Sequence, residues 1–143
     1  MYHAIPIPTN IYLHHVAIQV CNLQISSPFY QKLFGLQVHQ HFYLEEEEII
    51  WLQGNGWRLE LISINQAVPT PPPSTYHFAI EVSHLTEWEQ ICMQYQIPII
   101  EGPITLSDQT KILFIGGPDG EQIELIESVS GEDHLTDLIG SLN

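Results

Sequence analysis

The stretch His15-Val-Ala-Ile-Gln-Val-Cys-Asn-Leu23 returns as His77-Phe-Ala-Ile-Glu-Val-Ser-His-Leu85, an ungapped H-x-A-I-x-V-x-x-L at an offset of 62 residues. Internal repetition of this kind is read before any single element, because it sets the plan of the whole fold. Each copy alternates apolar and polar residues with a period of two, the pattern of a half-buried strand. Val16, Ile18 and Val20 share one face, with His15, Ala17 and Gln19 on the other. In the second copy Phe78, Ile80 and Val82 lie opposite His77, Ala79 and Glu81.

Working outward, a helix follows each strand. In the first half Ser27 reads as an N-cap with Pro28 at the first helical position, and Gly35 closes the run from Phe29. In the second, Thr86-Glu87-Trp88-Glu89 fits a capping box that opens a helix running to about Tyr95. Three extended stretches come after each helix: about 36–44, 47–53 and 57–64, then about 98–101, 110–116 and 121–127. Gly54-Asn55-Gly56 and Gly116-Gly117-Pro118-Asp119-Gly120 are turn signals joining the last two of each set. Both halves therefore read β-α-β-β-β, an α+β class of two paired modules.

The expected organisation is one domain over 1–143, with module one at about 11–64 and module two at about 75–127. Between them the run Val-Pro-Thr-Pro-Pro-Pro reads as a stiff, extended linker over about 65–75. In the tail, 128–143, Leu135, Leu138, Ile139 and Leu142 recur at helical spacing, which fits either a short amphipathic helix or a frayed terminus.

Charge excludes whole classes of partner. Lys32, Arg58 and Lys111 are the only basic residues against 17 acids, a formal net charge of −14. Such a surface repels phosphate backbones and anionic headgroups, so neither nucleic acid nor membrane is expected as a partner. No run approaches the roughly 18 apolar residues of a membrane span. The first ten residues lack a basic n-region and a long apolar run. Cys21 and Cys92 are too few for a disulfide framework and have no CxxC spacing, as reduced thiols of a cytoplasmic protein would be.

The final strand of each half carries a glutamate inside an apolar alternation: Trp57-Arg-Leu-Glu60-Leu-Ile and Gln122-Ile-Glu124-Leu-Ile. Each module thus offers one histidine on its first strand and one glutamate on its last, both on the face away from the helix. A lone strand histidine or glutamate is ordinarily structural or solvated. Recurrence at matched positions points instead to a divalent-metal site built from His15, Glu60, His77 and Glu124. Two imidazoles and two carboxylates neutralise a dication, and Zn, Ni, Co, Mn or Fe would each fit.

Other groups read more plainly. His14 is expected to point away from His15 by strand alternation, and His39 and His41 to lie on an exposed strand face. The four acids Glu45–Glu48 read as a solvated turn. Arg58, two residues from Glu60 and so on its face, either pairs with an acid or reaches an anionic group of a substrate. There is no GxGxxG before a helix, no GK[ST] loop and no GxSxG elbow.

The segments LHHVAIQVCNL, SPFYQKLFGLQV, YHFAIEVSHL and ILFIGGPDGEQIELIE resemble those of the vicinal oxygen chelate superfamily, which includes glyoxalase I, over about 13–127. The resemblance implies paired βαβββ modules whose mixed sheets curl around a metal cup, a small-molecule substrate, and commonly a homodimer in which both chains contribute ligands. Glyoxalase I-like members use His or Gln, Glu, His and Glu at the places filled here by His15, Glu60, His77 and Glu124. Epimerase-like relatives carry Gln where Glu60 stands, whereas extradiol dioxygenase and fosfomycin-modifying relatives use three protein ligands and bleomycin-binding relatives have lost the set.

The implied activity is a metal-dependent lyase or isomerase. In such an enzyme a glutamate moves a proton between adjacent carbons of a hemithioacetal through an enediolate, with Lewis-acid help from the metal. By position Glu124 is the base and Glu60 the second catalytic carboxylate. A non-enzymatic drug- or metabolite-binding protein and a non-haem Fe(II) dioxygenase are the alternatives. Two departures concern the thiol. Glutathione-using members have an arginine where Gln19 stands, and Thr-Pro-Pro-Pro-Ser-Thr replaces their polar segment before the second histidine. Scarce positive charge argues in the same direction, against glutathione and still more against a CoA ester.

Overall fold

The computed structural model describes residues 11–64 and 76–129. The linker and the tail stretch Leu135–Leu142, read as either a short helix or a frayed terminus, lie outside them. The chain divides into two compact units at residues 68/69. Each has the expected βαβββ plan: β1 (Val16–Val20), α1 (Leu23–Phe34), β2 (Gln37–Leu44), β3 (Glu47–Gln53) and β4 (Arg58–Ser63), then β5 (His77–Glu81), α2 (Leu85–Gln94), β6 (Ile99–Thr105), β7 (Lys111–Gly116) and β8 (Gln122–Glu127). No described helix is long and apolar enough to cross a membrane.

In the first unit the strand order is β1-β4-β3-β2, and in the second β5-β8-β7-β6. The first strand of each runs parallel to the last, and the remaining neighbours are antiparallel. Both sheets are therefore mixed and open. The helix supplies the crossover that a parallel first-to-last pairing requires.

Alternation decides which face the helix covers. Leu59, Leu61 and Ser63 on β4 are buried, as is Leu52 on β3, and α1 packs on these strands through Leu23 and Tyr30. In the second unit Leu113 and Ile115 of β7 and Ile123 and Leu125 of β8 lie under α2, which contributes Leu85 and Cys92. Each fully buried aliphatic side chain stabilises by about 1.5–3 kcal/mol. The period of two then turns Arg58, Glu60 and Ile62 to the opposite face of their sheet.

Both helices start earlier than their sequence signals. α1 begins at Leu23, with Asn22 as N-cap accepting from the Gln24 backbone N–H at 2.9 Å, so Ser27 and Pro28 lie inside it. Pro28 removes one interior backbone donor, yet Gly35 closes the helix as expected, with φ 67° in the left-handed region that glycine adopts freely. α2 begins at Leu85, not after Thr86, and its N-cap His84 makes no side-chain cap. Instead Glu127 of β8 accepts from the Leu85 N–H at 3.1 Å. A carboxylate there also complements the positive end of the helix dipole.

β6 runs to Thr105, beyond its expected end near 101, straight through Gly102-Pro103. It is the edge strand of its sheet, where a missing N–H costs no ladder bond, and the register jumps between Glu101 and Ile104 to absorb the interruption.

Candidate metal centre

Sheet register places the two glutamates identically. Glu60 stands between Ala17 of β1 and Trp51 of β3, and Glu124 between Ala79 of β5 and Phe114 of β7. His77 opens β5 and His15 immediately precedes β1, each two residues before the alanine that flanks its glutamate. That spacing returns each imidazole to its glutamate's face.

The outcome is one His–Glu pair per unit. His15 Nε2 lies 3.5 Å from Glu60 Oε2, and His77 Nε2 lies 2.8 Å from Glu124 Oε2. Burial matches as well: the side chains are 31% and 12% exposed in the first pair and 32% and 11% in the second. Among the described residues no three His, Cys, Asp or Glu side chains form a group that could hold a metal ion. The structure therefore brings the four expected ligands together as two pairs.

The separations test whether a dication fits each pair. Donors about 2.1 Å from one ion lie about 3.0 Å apart at a right angle and about 3.4 Å apart at the tetrahedral angle. The observed 2.8 and 3.5 Å bracket that span. One neutral imidazole nitrogen and one carboxylate oxygen from each pair also suit borderline divalent metals. Taken singly, each pair has the donor chemistry and the spacing of two neighbouring ligands of one ion.

The surroundings of the pairs differ. Trp51 donates its indole N–H to Glu60 Oε2 at 2.6 Å, whereas the equivalent Phe114 only sets its ring edge against His77, 5.5 Å between centroids. His14 does not point away from His15. Its Nδ1 lies 2.7 Å from His15 Nδ1, and its ring meets Trp51 edge-on at 5.0 Å. Strand alternation does not reach it, because β1 begins only at Val16.

Arg58 neither pairs with an acid among the described residues nor stands free. Its Nε donates to Gln53 Oε1 at 2.9 Å, its Nη1 donates to His14 Nε2 at 2.7 Å, and its guanidinium carbon sits 4.9 Å from the centre of the Trp51 ring. Gln53 is itself oriented for this, with its amide N–H groups on the carbonyls of Gly54 and Trp57. His41 pairs with Glu48 at 2.7 Å on the exposed part of the sheet, and His39 stacks parallel to Trp51 at 6.5 Å.

Trp51 thus joins the candidate site, although its residue type gave no metal signal. The Gly54-Asn55-Gly56 turn could have found it, since pairing outward from that turn sets Trp51 against Glu60.

The family model for the Glyoxalase/Bleomycin resistance protein/Dioxygenase superfamily matches residues 12–125. The chain belongs to this superfamily. A glyoxalase family protein from Enterococcus faecalis is 26% identical, with 81% of this chain and 97% of that one aligned at a TM-score of 0.69. The trypanothione-dependent glyoxalase I of Leishmania major shares the fold at 20% identity and a TM-score of 0.67, over 93% of both chains. Lactoylglutathione lyase from Agrobacterium tumefaciens does so at 17% identity and 0.63, over 84% of this chain and 95% of its own. No curated protein matches the sequence. Superfamily members typically bind a divalent metal.

Proposed function

We propose that this superfamily member is a metal-dependent lyase or isomerase of glyoxalase I type, moving a proton between carbons next to a carbonyl in a small vicinal-oxygen substrate. The observation that carries the reading is the His–Glu pair repeated at the same register in both sheets, with donor separations suited to one ion. His15, Glu60, His77 and Glu124 would hold one divalent ion, with the two pairs supplied within one chain or across a homodimer. When bound, that ion supplies Lewis-acid stabilisation of negative charge developing on substrate oxygen.

The chain's own residues divide the remaining work. Glu60, fixed by Trp51, keeps its carboxylate in one orientation and serves mainly as a ligand. Glu124 faces Phe114, a ring with no donor, so it is the carboxylate better able to take a proton from one carbon and return it to the next. Arg58 lies on the Glu60 face and would receive an anionic group of the substrate. The −14 net charge and Gln19 favour a substrate thiol less anionic than glutathione.

The test is metal analysis of untagged protein, followed by methylglyoxal presented with a panel of thiols. About one divalent ion per chain and turnover lost in Glu124→Gln, with the fold intact, support the proposal. A protein that holds no metal and gains no activity with added Zn, Ni, Co or Mn sinks it. Ligand-induced stabilisation that persists in EDTA without turnover would identify a binding protein instead, and oxygen uptake with a catechol a dioxygenase.

A further inference from the structure

Arg58 is the only arginine in a chain with 17 acids, yet among the described residues no carboxylate pairs with it. Three groups without negative charge hold it instead. Gln53 Oε1 accepts from Nε at 2.9 Å, and that amide is itself tied to the carbonyls of Gly54 and Trp57 at the hairpin turn. His14 Nε2 lies 2.7 Å from Nη1, and the centre of the Trp51 ring lies 4.9 Å from the guanidinium carbon. The head is thus oriented while its charge stays unpaired. A guanidinium has five N–H donors, and both of those on Nη2 remain available.

Position gives this receptor a task. Arg58 and Glu60 are two apart on β4, so they share a face, with about 6.8 Å between their Cα atoms. The Trp51 indole bridges them, its N–H on the Glu60 carboxylate and its ring against Arg58. Neither lysine stands on a sheet face that carries a His–Glu pair. Lys32 lies in α1, and Lys111 is three residues from Phe114 on β7, which turns it to the helix-covered side. One oriented fork therefore meets one carboxylate, and the −14 net charge works against any further negative group.

We infer that Arg58 selects a substrate whose thiol portion carries a single carboxylate a few bonds from sulfur, a small mercaptoalkanoate joined to a 2-oxoaldehyde. Gln53 is the positioning residue that holds the guanidinium for it. The inference deepens the glyoxalase-type reading and rests on it for the reacting end of the substrate. The carboxylate docks on Arg58 while the reacting carbons lie toward the His15–Glu60 pair. A sulfur and two methylenes span a gap of that order. The second carboxylate of a thiol such as glutathione has no cation to meet on this face. The reaction is an isomerisation of hemithioacetal to 2-hydroxyacyl thioester and needs no further reactant.

The test uses the metal-loaded full chain and the methylglyoxal hemithioacetals of 3-mercaptopropionate and of its methyl ester, at matched concentration. The acid should be preferred in kcat/KM by about tenfold to a hundredfold, the worth of one charge-assisted hydrogen bond, and chiefly through KM. Arg58→Met should abolish the preference by raising KM for the acid alone. Gln53→Leu should reduce the preference without abolishing it. Lys32→Met removes a cation from the helix and should leave it intact.

Equal turnover of acid and ester by wild type, a preference that survives Arg58→Met, or an Arg58→Met variant that loses both substrates alike would each overturn the selection while leaving the glyoxalase-type reading intact. Should neither compound turn over with any metal, that reading fails, and wild-type protein alone then decides the receptor. Its single arginine gives one guanidinium NMR signal, which should shift saturably with 3-mercaptopropionate and not with the ester. A signal that ignores the acid overturns the receptor, whatever the turnover and whether or not the variants fold.

Discussion

Trp51 and Glu60 face each other across β3 and β4, and the indole N–H reaches the carboxylate at 2.6 Å. The second module has the same register with Phe114 opposite Glu124, and a phenyl ring cannot make that bond. Two glutamates at equivalent positions are thereby differentiated by one cross-strand neighbour. A hydrogen bond to a charged group is worth about 1.5–3 kcal/mol, an anchor that Glu60 has from Trp51 and that Phe114 cannot give Glu124.

Trp51→Phe makes the first module imitate the second. The fold should persist, since Phe is apolar and flat at a half-buried strand position. Zinc affinity should fall by roughly tenfold, about 1.4 kcal/mol, because Glu60 loses the donor that orients it. Unchanged affinity by calorimetry would show that the indole N–H does not position the ligand.

Glu124→Gln and Glu60→Gln should fail differently. Replacing the base should cut proton transfer by about 10²–10⁴-fold while metal is retained. Replacing the fixed ligand should chiefly weaken metal retention. Deuterium incorporation from solvent into product, followed beside metal content, separates the two; identical losses in both variants would contradict the division of roles.

The helix starts supply stability predictions. Asn22→Ala removes a local cap and should cost about 1 kcal/mol. Glu127→Ala removes a charged cap of α2 from a different element and should cost about 1–2 kcal/mol. Urea denaturation monitored by circular dichroism measures both. A Glu127→Ala variant as stable as wild type would mean that the Leu85 N–H finds another acceptor at no cost.

Thiol labelling should distinguish the cysteines. Cys21 is exposed, whereas Cys92 is buried, and burial pushes its thiol above the ordinary value of 9.0, with Glu89 adding repulsion. A disulfide reagent at mild alkaline pH should modify Cys21 quickly and Cys92 only on unfolding. The unfolded chain ionises Cys92 first, so its linkage lowers folding stability as pH climbs past the ordinary thiol range. Rapid labelling of both thiols in native protein would contradict the burial.

The repeat, the β-α-β-β-β plan and the two His–Glu pairs were legible because each rests on short-range alternation. What escaped was non-local or just outside that pattern. Ser27 and Pro28 look like a helix start because proline favours the first turn, but Asn22 caps earlier and the helix tolerates Pro28 within it. The Thr86 signal is displaced because the α2 cap arrives from Glu127, on another strand. Strand parity turns His14 away from His15, but it does not apply there because the strand starts two residues later, at Val16. The glycine and proline within β6 signal a strand end in sequence, yet an edge position accommodates both.

The two kinds of helix cap also set an order of events on the ribosome. Asn22 emerges immediately ahead of α1, so that helix has its start signal in place as it is made. Leu85 must wait for Glu127, which is synthesised 42 residues later, several seconds at ordinary elongation rates of about 5–20 residues per second. Both sheets close only when their last strand emerges to pair with the first, so the modules differ in their helices: α1 has its start signal as it is made, and α2 receives its own only with β8.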